Sequence, residues 1–341
     1  MKISLIIQFM LTIALMAIAS AGCSNPTGVD KAALLADSLR RADSLHRADS
    51  LHRVDSVRTV SDNAMRDVLC QLSENVYVSA TVDLDTYAGA LADRISDLKS
   101  ARTASSLEAA REAWKLARRP WEFFEMGLVG PAKNQGTDPD IDSWPADLNT
   151  IESILQDNDG IDMATLAQEE GTARGFHAIE YLLWGLDGQK KVEQITGSEY
   201  DYLIAASAML HGSTARLRTA WQGTMAGDST AFAWQLCHAG QPGSPYLSAL
   251  SALKDVTSNA ITLTYEVANS KMGIPYHSSD KAFEESRFSG TTKADFLANL
   301  EGLRAWYTGE YRERNMPVVG LGISSLVVKQ NPGLDAKVRA A

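Results

Sequence analysis

The stretch Gly175-Phe176-His177-Ala178-Ile179-Glu180-Tyr181-Leu182-Leu183-Trp184-Gly185 constrains the fold more than any other. From Phe176 to Trp184 every residue except His177 and Glu180 is apolar or aromatic. On a helix such a segment has no face that favours water, so it belongs inside the protein. His177 and Glu180 are three residues apart and share one face. Burying a carboxylate is costly unless it is paired, hydrogen-bonded or metal-bound. The fold must therefore bring partners to both groups. A Glu–Arg pair beside a satisfied histidine would meet that demand as well as a ligand site would.

The chain has 341 residues, 45% hydrophobic and 22% charged, a globular balance. The net charge of −10 and the lack of a basic patch speak against nucleic acid as a partner. Residues 1–22 read as a lipoprotein signal peptide. Lys2 is a minimal positive start, and Leu5 to Ala19 is an apolar run too short to span a bilayer as a mature helix. The run ends in Ser20-Ala21-Gly22-Cys23, which resembles a bacterial lipobox with Ser20 where leucine is usual. Cys23 is the expected lipidation site, placing the protein at the cell envelope, on the outer membrane, with the membrane as partner through that anchor. The alternative is an ordinary signal peptide with a free Cys23. Cys70 and Cys237 could pair in an oxidising envelope, but their separation in sequence says nothing about distance in space, and the first expectation is two buried apolar residues.

Residues 23–60 read as a tether followed by a hexapeptide repeat, Ala36-Asp-Ser-Leu-Arg-Arg, Ala42-Asp-Ser-Leu-His-Arg, Ala48-Asp-Ser-Leu-His-Arg and Val54-Asp-Ser-Val-Arg-Thr. Acids face bases three or four residues on, which supports an exposed helix. A period of six rotates the leucines around the helix, so no apolar seam accumulates and a coiled coil is not expected. His46 and His52 lie in this solvated spacer.

Residues 61–341 carry helical patterning nearly throughout, with helices expected over 61–79, 82–100, 104–128, 147–157, 172–185, 198–226, 229–238, 244–270 and 292–314. No segment shows sustained strand alternation. The fold class is all-α, built as bundles of antiparallel helices.

Three stretches can carry chemistry. Ala113 to Glu125 holds Arg118, a helix-kinking Pro120, and Glu122 and Glu125 three residues apart. Ile141 to Asn149 holds Asp142, a turn former or a site residue, and Asp147, suited to cap the next helix. The third is Gly175–Gly185. Glu122, Glu125, Asp142, His177 and Glu180 together would make an oxygen-rich site with one nitrogen, suited to iron, zinc or manganese. The HExxH, GxSxG, Walker and dinucleotide patterns are all missing from the sequence. His211, His238 and His277 are isolated.

Gly175-Phe-His177-Ala-Ile-Glu180 resembles the GxHxxE signature of the imelysin (peptidase M75) family. Ala117-Arg118-x-Pro120-Trp121-Glu122-x-x-Glu125 is similar to its early ARxPYExxE-type segment, with Trp121 in place of tyrosine. Gly130-Pro131, Ile141-Asp142-x-Trp144-Pro145-x-Asp147, and Glu285-Ser286-Arg287-Phe288-Ser289 followed by Asp295, Asn299, Gly302 and Tyr307 resemble further blocks in the family's order. The resemblance implies two helical bundles related as a diverged duplication, with the GxHxxE helix beside a pocket between them. It also implies an envelope location and a link to iron uptake or regulation. The leading expectation is a site for a metal ion, iron first and zinc second, or for a small metal-bearing ligand, on His177, Glu180, Glu122, Glu125 and Asp142. Arg287 and Arg118 are ligand-binding or counter-charge candidates, and envelope metal-uptake proteins are candidate partners. The alternatives are a metallopeptidase of the M75 type, and an envelope interaction module whose His–Glu–Arg network is structural.

Overall fold

The structure is a computed structural model describing residues 61–134, 136–157, 160–312 and 317–340. The signal peptide, Cys23, the tether and the hexapeptide repeat lie outside the described residues. The helices run in chain order as α1 Asp62–Leu72, α2 Val78–Ala101, α3 Ala104–Phe124, α4 Pro131–Asn134, α5 Thr137–Asp142, α6 Leu148–Asp157, α7 Met163–Leu166 and α8 Gly175–Trp184. They continue as α9 Gly197–Gln222, α10 Phe232–Cys237, α11 Ala249–Glu266, α12 Gly273–Ser278, α13 Thr292–Thr308, α14 Ser324–Gln330 and α15 Pro332–Ala340. The fold is all-α apart from a two-residue antiparallel pairing of β1 Glu310–Tyr311 with β2 Val318–Val319, Glu310 opposite Val319. No described helix is long and apolar enough to cross a membrane.

The chain divides into two compact units. Among the described residues the first takes in 61–76, Leu236–Glu284 and Leu303 onward; the second is Tyr77–Gln235 with Glu285–Gly302.

In the second unit α2 and α3 form an antiparallel hairpin. Arg102, left-handed at φ 50°, ends α2, and Thr103 caps α3 through a reciprocal bond with Ser106. The α9 helix packs on α2 and on α8. Large rings fix these contacts: Trp114 of α3 meets Phe176 and Trp184 edge-on, with centroids 6.0 and 5.3 Å away. Its indole also donates to the Phe176 carbonyl at 2.9 Å, so α8 is locked to α3 both by apolar area and by a satisfied buried donor. Gly302 of α13 lets that helix lie against α3, because a Cβ there would collide with the Phe123 carbonyl.

In the first unit α11 packs on α1, and α14 packs on α15 and α1. Asp335 ties α15 down, accepting from Tyr307 at 2.9 Å, from the Ser324 hydroxyl, and from Arg339 at 3.0 Å. Cys70 and Cys237 are joined by a disulfide, their Cα atoms 4.2 Å apart. This corrects the expectation of two separate buried cysteines: α1 and the end of α10 converge, a contact that patterning across 167 residues could not reveal.

Several boundaries also differ from the sequence expectation. The break expected near residue 80 is absent, and Ser73–Tyr77 is instead a π-helical turn between α1 and α2. The α-helix expected to reach residue 128 ends at Phe124 and tightens into a 3₁₀ turn, Glu125–Gly127. Helices α14 and α15 were not expected, since seven and nine residues are too few to establish a helical period.

Candidate functional site: a buried carboxylate cluster

Three local features bring the site together. Arg118 and Glu122 lie one turn apart on α3, so both point the same way, into the interior. Gly175, at φ +78°, opens α8 where a Cβ would collide with the Ile141 carbonyl, and this draws α8 against the end of α5 that bears Asp142. Gly188 allows the carbonyl of Phe288 to approach just beyond α8, which brings the Glu285–Ser289 segment to Glu180.

His177 sits between two carboxylates. Its Nδ1 lies 3.2 Å from Glu180 Oε2 and its Nε2 3.1 Å from Asp142 Oδ1. Burial and the nearby Arg118 charge disfavour the imidazolium. Hydrogen bonds to Asp142 and Glu180, together with the Asp142 charge, outweigh them and raise its pKa to about 9. At neutral pH the ring is therefore a cation donating through both nitrogens, which leaves it no lone pair for a metal while that proton stays.

Glu180 is satisfied without an arginine. Its Oε1 accepts the backbone N–H of Phe288 at 3.1 Å, that of Ser289 at 2.8 Å and the Ser289 hydroxyl at 2.7 Å. Arg118 serves other acids: Nη1 bonds Asp142, and Nη2 bonds Glu122 and lies 3.2 Å from Glu285 Oε1 and 3.4 Å from His177 Nε2. Burial would lower its pKa, but the charges of Asp142, Glu122, Asp295 and Glu285 hold it well above the ordinary value. The other oxygen of Asp142 accepts from the Trp121 indole at 2.6 Å. Asp142 thus joins α3 to His177, which decides its role as a residue of the cluster.

On the far side of Glu122, Asn299 of α13 donates through Nδ2 to Glu122 Oε2 at 2.8 Å and Glu125 Oε2 at 2.6 Å. Its amide oxygen is buried with no hydrogen-bond partner among the described residues. Asp295, one turn earlier on α13, has its pKa raised to about 8. Burial is the main cause, helped by the Glu122 and Glu285 charges and only partly opposed by Arg118.

The candidates Glu122, Glu125, Asp142, His177, Glu180 and Arg118 therefore meet in one place, all within the second unit. Arg287 lies instead over the Phe288 ring, 4.5 Å from its centroid. His211 contacts Asp85 at 3.5 Å, away from these residues. Sequence reasoning did not single out Glu285, Asp295 or Asn299 as site residues. The available signal was weak: an acid opening the Glu285–Ser289 block, and an Asp–Asn pair four residues apart on one helix face.

Six buried carboxylates result: Glu122, Glu125, Asp142, Glu180, Glu285 and Asp295. Among the described residues of this unit the buried basic side chains are Arg118 and His177. Six buried carboxyl groups thus gather around one guanidinium and one imidazole. Two groupings place one potential ligand atom per residue within 4.8 Å of one another: Asp142, His177 and Glu285, and Glu122, Glu125, Asp142 and Glu285. Glu180 belongs to neither and acts on His177. The surplus of buried carboxyl oxygen fits a hard, oxygen-preferring cation.

Comparison with known proteins agrees with this architecture. The imelysin (peptidase M75) family profile matches residues 78–341. Iron-regulated protein A of Synechococcus elongatus is 30% identical over 237 residues, 70% of this chain and 62% of that protein, so the chain spans less than two thirds of the relative's length. A solved structure assigned as an iron-regulated protein A precursor from Parabacteroides distasonis shares the fold, with a TM-score of 0.68 at 23% identity over 83% of this chain and 84% of the other. The chain belongs to the imelysin family.

Proposed function

We propose that this protein binds a metal ion, iron first and zinc second, or a small metal-bearing ligand, at the carboxylate cluster. In this reading it serves iron or metal uptake at the cell envelope, held there by a lipid on Cys23. The observation that carries the proposal is the imbalance of buried groups: six carboxyl groups against one guanidinium and one imidazole. Charge of one sign is not kept away from water without a compensating ion or proton. The name of the Synechococcus relative, iron-regulated protein A, directs the choice of metal.

Glu122, Glu125, Asp142 and Glu285 would hold the ion, and a bound metal would supply positive charge and Lewis acidity there. His177 would join them only after giving up its proton. Otherwise it holds Asp142 in place, and Glu180, anchored by Phe288 and Ser289, holds His177. The structural-network reading draws on Arg118 and His177, which already neutralise part of the cluster.

Metal analysis and metal-dependent melting of the purified chain distinguish the two readings. The metal reading expects about one ion per chain and a stabilisation by added iron or zinc that disappears in Glu122→Gln/Glu125→Gln. No metal, no shift on addition, and a variant that merely melts at a different temperature would sink it and leave a structural network.

A further inference from the structure

A side chain already occupies the cation position of this cluster. The Arg118 guanidinium bonds Asp142, Glu122 and Glu285, three of the four acids in the oxygen-only grouping. An arginine does not lose its proton in a protein. A metal ion taking those carboxylates would stand within contact distance of a fixed positive charge, in a buried setting where like charges repel strongly. The two cations therefore cannot share these oxygens. Arg118 is also incompletely held, since its Nε is buried with no hydrogen-bond partner among the described residues.

We propose that Arg118 is an internal competitor for the metal, an inference that rests on the metal-binding reading above. Without an ion its guanidinium holds Asp142, Glu122 and Glu285 together; an ion binds by displacing it. Such exchange selects for ion charge. A monovalent ion brings no more charge than the guanidinium and lacks its directed hydrogen bonds, so it gains nothing by entering. A divalent or trivalent ion neutralises more of the surplus. The ligand class is thus a multivalent, oxygen-preferring cation, with potassium and sodium rejected.

The test is calorimetric titration of Mn²⁺ into wild type, Arg118→Gln and Arg118→Lys, in sodium and in potassium buffer. Arg118→Gln is expected to bind Mn²⁺ at least tenfold tighter than wild type. Arg118→Lys should fall between, because one ammonium cannot bridge three carboxylates. Exchanging sodium for potassium should leave wild-type affinity unchanged. Should Arg118→Gln fail to fold, Arg118→Lys decides alone, with tighter binding expected. Wild type that binds while the variants bind equally or more weakly overturns the competitor and leaves the metal site standing. Binding by the variants alone supports the competitor and overturns metal binding by the native chain. No binding by any of the three, with Mn²⁺ or with anaerobic Fe²⁺, overturns both.

Discussion

Ser289 grips Glu180 twice, with its backbone N–H at 2.8 Å and its hydroxyl at 2.7 Å both donating to the same carboxylate oxygen. The other oxygen of Glu180 faces His177, so one buried acid links the segment after Glu285 to the motif helix. Glu180→Gln removes the charge opposite a buried imidazolium and is expected to cost about 3–5 kcal/mol. Ser289→Ala keeps the backbone donor and should cost about 1–2 kcal/mol. Urea unfolding of both variants checks the order; equal losses would show that the charge of Glu180 is not what matters.

The His177 pKa predicts a direction of pH dependence. In the unfolded chain the ring titrates near 6.5, and in the folded protein near 9. A raised folded value means the proton-linked stability is complete below pH 6.5 and is lost as pH rises through about 9. The expected loss across that window is roughly 3 kcal/mol. His177→Gln should lack it, so wild type minus variant stability, followed by unfolding from pH 6 to 10, isolates the histidine. A constant difference would show that the ring is neutral in the fold.

Asp295 predicts an effect of the same sign over a different range. Its folded pKa of about 8 exceeds the ordinary 3.8, so stability linked to its proton is full below pH 3.8 and declines as pH rises to about 8. Asp295→Asn is permanently neutral and should escape that decline. The variant is expected to gain on wild type by more than about 1 kcal/mol between pH 5 and pH 9. A variant that only loses stability, by the same amount at both values, would show that Asp295 is ionised in the fold.

The disulfide closes a sequence separation of 167 residues within the first unit. A loop of that length restricts the unfolded chain enough to contribute about 4–5 kcal/mol in the chain-entropy view. Cys70→Ser/Cys237→Ser, or reduction, should lower the melting temperature of the first unit. Thermal scans with and without reductant check it; coincident curves would mean that the thiols do not pair in solution.

Much of the fold was legible along the chain because helix signals are local. The apolar run from Phe176 to Trp184 acts within a few residues. Asp147 caps α6 as its position suggested, accepting from the Asn149 and Thr150 amides at 3.1 and 3.2 Å. The glycines Gly175 and Gly185 bound α8 through positive φ values of 78° and 71°.

The site was legible only in part. Two ionisable groups on an apolar helix announced that partners must arrive, but not which ones. Glu180 receives backbone amides from Phe288 and Ser289, donors that every residue type but proline carries and no sequence pattern can flag. Arg287 looked as suitable a counter-charge as Arg118, yet it stacks on the adjacent Phe288 ring.

By itself, then, the sequence determined the long helices, most of their breaks and the need to satisfy His177 and Glu180 in the interior, because periodicity, capping and the cost of burying charge operate within a few turns. Only the tertiary structure decided that Glu285 would face Arg118 across 167 residues and that Asn299 would bond Glu122 across 177. Charge balance and hydrogen bonding act through space over a few ångströms, and which residues come that close is settled when helices pack.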